Sequence, residues 1–363
     1  SGHFFLPSHP LREFFDVDTV VNNGRWFSQY TPGHTVLLLI GNQVGAPWLV
    51  NPILGALTIP SLYFLGREAY DKPTALLAVL LALLSPFLAF VSGEYFSHAS
   101  AFLFLTIFLL HYLRFSRMGG VANAALAGTF LGLALLSRPL TALAVAIPCA
   151  VDSGMSLVRG RGGKRAAGIL VLSSVSLAFV ASLLLYNRET TGAFLSFGYG
   201  EAAGPGFGWE ASISWARTLV RVQLVNDALL AWPVPGLVLV LVAFLGGRPT
   251  REDYLFAGVF FALLAAHSTV AYQDNEFGPR YIYEASGALL LLSARGVFRV
   301  PECIMRFSGN TPPHALVRER SGVAIAIAFL FAAAAGWLPR TGFYGSDKWQ
   351  WARHDDAAEA VQA

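Results

Sequence analysis

The chain has 363 residues, of which 55% are hydrophobic and only 13% charged, with a net charge of +3. A soluble domain carries about twice that charged fraction, and the mean hydropathy of +0.54 excludes an ordinary soluble fold. The slight basic excess does not indicate nucleic acid as a partner, because no basic stripe with interleaved aromatics accompanies it.

Residues 1–33 are polar and rich in turn signals such as Asn22-Asn23-Gly24 and Pro32-Gly33. The chain starts at Ser1 within this polar, aromatic stretch, which reads as a fragment whose N-terminus is missing. The apolar run His34–Ile40 is too short to cross a bilayer and suits a helix lying on its surface. Residues 1–46 therefore read as an outer loop with a juxtamembrane helix.

Apolar runs of spanning length follow at about 47–66, 73–91, 97–113, 120–136, 140–157, 167–186, 228–246, 253–271, 282–296 and 321–338. The expected fold is an all-α integral membrane protein, a multi-span bundle of about ten transmembrane helices over 47–338. Its long outer loop, 187–227, has the Gly, Pro and aromatic content of a structured segment lying on the membrane, ending in an amphipathic helix near 211–225. The remainder, 339–363, is an outer polar tail. Cys149 sits in an apolar run and Cys303 in a basic loop, so neither a disulfide framework nor a zinc site is indicated.

If the spans alternate and the 66–73 loop is cytoplasmic, most of the 25 Lys and Arg residues fall in short cytoplasmic loops, as the positive-inside rule requires. Only Arg138 and Arg280 then occupy short outer loops. Cations are disfavoured there, so these two point to an anion site. Arg138, in LLSRPLTA, either lines a polar cavity at the helix break made by Pro139 or snorkels to headgroups.

Arg280 belongs to the densest polar stretch, YQDNEFGPRYIYE at Tyr272–Glu284, which also holds Asp274, Glu276 and Tyr281. Its planar fork suits a phosphate. Glu284, one helical turn deeper, either orients Arg280 or merely neutralises it. Glu94 and His98, in SGEYFSHAS, are spaced to share one helix face, where they could share a proton or a metal. Their plainer reading is as helix caps or headgroup contacts. Two ligands alone make no metal site. Tyr30 and His34 precede the surface helix, where His34 is either an anion contact or an ordinary interfacial residue. Asp16 and Asp18, in FFDVD, are loop acids of the kind more often solvated than catalytic.

YTPGHTVLLLIG, NPILGALTIPSLYFLGREAYD, SGEYFSHASAFLFLTIFLLHYLRFSR, LALLSRPLTALAVAIP and GPRYIYEASGALLLLSARG, in that order, resemble bacterial GT-C membrane glycosyltransferases. The similarity is to the protein O-mannosyltransferase, aminoarabinose-transferase and RgtA/B/C/D-like group, across most of residues 20–297. It implies a multi-pass enzyme of the bacterial cytoplasmic (inner) membrane, with its active site facing outward. The donor would be a polyprenyl-phosphate sugar and the acceptor a glycan, lipid or protein. The resemblance implies phosphate contacts at Arg138, Arg280, Tyr281 and His34, and a polar cavity including Tyr30, Glu94, His98 and Glu284. A divalent metal is possible in such enzymes. The family's catalytic Asp-Glu pair follows its first span, so that acid is expected upstream of Ser1, with Asp16 and Asp18 the candidates within the chain. YTPGH lacks the Glu-Lys that precedes this proline in aminoarabinose transferases, so His34, Arg138 or Arg280 must supply the positive charge. A transporter or flippase of lipid-linked substrates, and a non-catalytic membrane scaffold, are the rival expectations.

Overall fold

A computed structural model describes residues 4–8, 11, 19–159, 163–199, 215–230, 236–268, 279–308 and 315–344. Three short strands, β1 (Leu6–Pro7), β2 (Val20–Asn22) and β3 (Arg25–Ser28), form an antiparallel sheet in the order β1-β3-β2, with Leu6 opposite Trp26 and Val21 opposite Phe27. Gly24 turns the β2–β3 hairpin at φ 101°, a conformation that glycine adopts without steric cost. Arg25 anchors the sheet by donating to the carbonyls of Glu189 (2.7 Å) and Thr190 (3.1 Å), at the C-terminal end of a long helix.

The rest is helical. Helix α1 (Pro32–Gln43) is followed by α2 (Val50–Ala69), α3 (Lys72–Leu83), α4 (Pro86–Val91), α5 (His98–Met118), α6 (Val121–Ser137), α7 (Pro139–Val158) and α8 (Gly163–Thr191). Further along the chain come α9 (Trp215–Leu229), α10 (Gly236–Leu245), α11 (Arg251–Ser268), α12 (Ser286–Ser308) and α13 (Ala315–Tyr344). Helix α5 is central: it packs on α2, α6 and α7, and most of its side chains are buried. Four helical segments among the described residues are long and apolar enough to cross a membrane by themselves: Pro47–Ala69, His98–Met118, Pro139–Val158 and Arg165–Thr191. Shorter apolar helices, Lys72–Leu83, Val121–Ser137, Gly236–Leu245 and Ser321–Ala335, stand among them.

Several predicted spans change outline. The run 73–91 is divided at Leu84-Ser85, because Pro86 cannot continue α3 and Ser85 instead caps α4, its Oγ accepting from Leu88 N at 3.3 Å. The run 282–296 opens as a 3-10 turn, Arg280–Ala285, and only then becomes α12, which continues to Ser308. The short apolar run after Pro32 is the helix α1, as expected. Its outward side chains Val36, Leu39 and Ile40 are exposed, as a helix resting on a lipid surface requires.

The two ends of the bundle differ in chemistry. At one end Asp253 is fully buried, taking Tyr70 Oη at 2.7 Å and Arg299 at 3.2 Å, with Arg295 at 3.9 Å. Beside it Asp152 pairs with Arg251 and accepts from Tyr112 Oη, while Arg117 bridges Glu68 and Glu252. These are the ends of α2, α5, α7 and α11, cross-linked to α12. The opposite end holds the α6–α7 break, the turn before α12 and the candidate site.

Candidate active site

Arg138 owes its position to Pro139. A proline at the first position of α7 stops α6 and pushes the residue before it out of the helical region. Arg138 accordingly sits at φ −147°, ψ 83°, between the two helices, and its side chain turns inward. Its Nε lies 3.2 Å from Glu284 Oε1 and donates to Thr141 Oγ1 at 3.4 Å; its Nη1 donates to Ser97 Oγ at 3.3 Å. Its Cζ lies 5.9 Å from the centre of the Tyr281 ring. No bond is made by Nη2 among the described residues, which leaves that edge of the fork available.

Glu284 is buried on the 3-10 turn, and its Oε1 also accepts from His98 Nδ1 at 3.1 Å. Its Oε2 is buried with no hydrogen-bond partner. The expected pairing with Arg280 does not occur: Arg280 lies over the Phe96 ring, 4.1 Å from its centre. The expectation for Glu94 and His98 is corrected as well. His98 opens α5, but Glu94 is in the turn before it, so the two do not share a helix face. His98 faces Glu284 instead, and the Glu94 backbone carbonyl accepts from Asn51 Nδ2. Among the described residues, no three His, Cys, Asp or Glu converge as a metal would need.

His34 and Tyr30 approach the site because α1 docks on the end of α6. Thr31 Oγ1 donates to Ser137 O at 2.8 Å, and a Cβ on Gly33 would meet Leu136 C at 2.6 Å, so only glycine permits this contact. His34 is buried, and its Nε2 donates to Tyr95 O at 3.0 Å. Burial holds its pKa below the usual histidine value, with Arg138 adding to the effect, so the ring is neutral near pH 7. Tyr30 packs edge-on against Tyr199, 5.4 Å between ring centres. Burial pushes the Tyr199 hydroxyl up to about 12, so it stays a proton donor.

The structure adds residues that the sequence reading passed over. His267, buried near the end of α11, shares a hydrogen bond of 3.2 Å with Thr141 Oγ1 and lies 5.3 Å from Tyr281, ring to ring. Its backbone carbonyl accepts from Arg221, a buried arginine of α9. The signal was present: a histidine inside the apolar run FFALLAAHS is an intramembrane ionisable group. Thr141, Ser97 and Tyr199 carried no such signal. Asp16, Asp18, Asp274 and Glu276 lie outside the described residues. Next to the polar cluster, a mainly apolar cavity of about 290 Å³ lies between α2 and the α3–α4 break, with Tyr283, Phe102 and Leu62 among its walls.

This layout is shared with known membrane enzymes. ArnT from Cupriavidus metallidurans in the apo state superposes with a TM-score of 0.60 at 15% identity, over 92% of this chain and 72% of that one. Residues 34–186 match the family model of dolichyl-phosphate-mannose-protein mannosyltransferases. The chain carries the fold of these GT-C enzymes. Two further GT-C structures are similar. ArnT from the same organism bound to undecaprenyl phosphate gives a TM-score of 0.58 at 17% identity, over 88% of this chain and 63% of that one. The oligosaccharyltransferase AglB from Archaeoglobus fulgidus, with an inhibitory peptide and a dolichol-phosphate, gives 0.55 at 14%, over 86% and 48%. No curated protein matches the sequence. Within the GT-C layout, the family-model match includes His34, Glu94, His98 and Arg138, whereas Arg280, Tyr281 and Glu284 lie beyond it.

Proposed function

We propose that this chain transfers a sugar from a polyprenyl-phosphate donor to a glycan, lipid or protein acceptor on the outer face of the bacterial cytoplasmic membrane. The observation that carries the reading is the Arg138 guanidinium, held on one edge and open on Nη2, above Tyr281 in a largely buried site. When the glycosyl bond breaks, negative charge grows on the lipid phosphate. A fixed guanidinium in a poorly hydrated site stabilises that charge without reorganising. Arg280 and Tyr281, adjacent on the same turn, complete the phosphate side, and both arginines lie within electrostatic reach of His98. His34 is neutral and tied to Tyr95, so its contribution is to seat α1 against the site, and the positive charge rests with the arginines.

Tyr30 and Tyr199 form the wall nearest the outer loops, where an acceptor hydroxyl would arrive. The apolar cavity beside Tyr283 suits the hydrocarbon of a lipid-linked substrate. The acceptor's general base is a carboxylate not assigned to any described residue, with Asp16 and Asp18 its candidates in this chain. In this reading the phosphate is held by arginine and tyrosine donors; among the described residues no three His, Cys, Asp or Glu converge.

The transporter reading requires the bundle to open at both ends in turn. The end opposite the site is tied across α2, α5, α7, α11 and α12 by carboxylate–arginine pairs, the Arg299–Asp253 pair among them buried, which favours a site open to one side only. The scaffold reading expects Arg138 far from Arg280, yet Arg138 lies against Tyr281, the very next residue.

The test is transfer by membranes carrying the full-length protein, with undecaprenyl-phosphate sugars as donors and Arg138→Ala and Arg280→Ala as variants. Loss of transfer in both supports the reading. Wild-type rates in both, or lipid movement without any new glycosidic bond, would sink it.

A further inference from the structure

Arg138 is the best-placed cation in the site, but a free arginine side chain samples many rotamers and would present its fork to a phosphate only part of the time. Here the side chain is braced. Glu284 Oε1 sits 3.2 Å from Nε, and that carboxylate is itself held by His98 Nδ1 at 3.1 Å. Both supports are buried, His98 at 2% exposure and Glu284 at 4%, so water does not compete for these contacts. Ser97, the neighbour of His98 in sequence, holds Nη1 at 3.3 Å. One helix start, Ser97-His98, thus grips the guanidinium directly and through Glu284.

We infer that Glu284 and His98 are positioning residues: His98 fixes the Glu284 carboxylate, and the carboxylate sets the Arg138 fork so that its Nη2 edge faces the donor phosphate. The inference rests on the proposed phosphate role of Arg138. It gives Glu284 a partner other than Arg280 and removes both residues from acid–base work on the acceptor.

A counter-charge and a brace make opposite predictions. Glu284 is an anion beside the cation that binds an anion. If it did nothing but neutralise Arg138, removing its charge would leave a net positive site and tighten phosphate binding. If it positions Arg138, losing its acceptor oxygen weakens binding despite the gain in net charge.

The experiment measures undecaprenyl phosphate binding to the purified full-length protein in nanodiscs, with undecaprenol as the phosphate-free control. Glu284→Met, which keeps the length but removes the acceptor, is expected to weaken undecaprenyl phosphate binding by about tenfold or more and to leave undecaprenol unchanged. Glu284→Gln, which keeps an oxygen for Nε and for His98, is expected to stay within about threefold of the wild type. Equal or tighter phosphate binding by Glu284→Met overturns the inference, as does an equal loss for undecaprenol, the mark of a merely structural role. Should Glu284→Met fail to fold, the His98 pair decides. His98→Leu is expected to lose phosphate affinity and His98→Asn, whose amide N–H replaces Nδ1–H, to restore it; equal affinity in the two overturns the brace. An Arg138→Ala arm separates the levels. If that variant binds undecaprenyl phosphate like the wild type, the phosphate site itself is wrong. If it loses binding while Glu284→Met does not, only the brace is wrong.

Discussion

Arg138 and Glu284 meet at 3.2 Å across the site, one placed by a proline between α6 and α7, the other by a 3-10 turn ahead of α12. Neither would be stable alone at this depth. A lone buried charge carries a desolvation cost of several kcal/mol, which the partner largely offsets.

The two arginines should not be equivalent to lysines. Arg138→Lys keeps the charge but cannot contact Glu284 and Ser97 while presenting a free edge, because an ammonium has no planar fork. Arg138→Ala and Arg280→Ala are each expected to lower kcat for transfer by about 10²–10³-fold. Arg138→Lys should recover only a small part. Initial rates at saturating donor measure this, and a lysine variant matching the wild type would count against a fork-specific role.

His34 makes stability pH-dependent in a defined direction. Its folded pKa lies below the ordinary histidine value, so below about pH 6.5 the unfolded chain binds a proton that the folded chain resists. Stability contributed by neutral His34 is therefore full at neutral pH and falls as pH drops beneath that value. His34→Gln retains an N–H for Tyr95 O but does not titrate, so the fall in unfolding temperature between about pH 7.5 and about pH 5.5 should be smaller in the variant. Parallel curves for the two proteins would contradict the assignment.

At the opposite end, Asp253→Ala strands Arg299, which is itself buried. Removing one partner of a buried pair costs about 3–5 kcal/mol. The expected result is a clear drop in thermal stability in detergent, while the protein that remains folded keeps its affinity for undecaprenyl phosphate. Loss of phosphate binding with unchanged stability would mean that the two ends are coupled in a way that the contacts do not show.

Helices α6 and α8 pack through glycine. A Cβ on Gly128 would come within 2.6 Å of Leu172 O, and the Gly128 carbonyl accepts from Ser176 Oγ at 3.0 Å. The obstacle is backbone, which cannot swing aside, so Gly128→Leu should cost about 1–3 kcal/mol or more by forcing the helices apart. Gly154, with nothing within 4 Å of its added Cβ, is the matched control, and Gly154→Leu should be tolerated. Equal unfolding temperatures for the two variants would argue against close α6–α8 packing.

By itself the sequence determined the class and the general layout. Apolar runs with few charges suit a bilayer, and the arginine distribution grouped the loops of Arg117, Arg251 and Arg299, which the structure gathers at one end of the bundle. It also marked Arg138, because a charge followed by proline in an apolar stretch is expensive and breaks a helix, both local properties. Pairing was decided by tertiary structure alone. The spacing of Glu284 from Arg280 and of Glu94 from His98 suggested neighbours, since helical periodicity speaks only about residues on the same helix. The actual partners, Arg138 and His98 with Glu284, and Thr141 with His267, come from different helices, and which of them meet depends on how those helices cross. The last residues of the polar stretch 272–284 form one wall of the site, and the brace that sets Arg138 is formed only when α5, α7 and the turn before α12 close together.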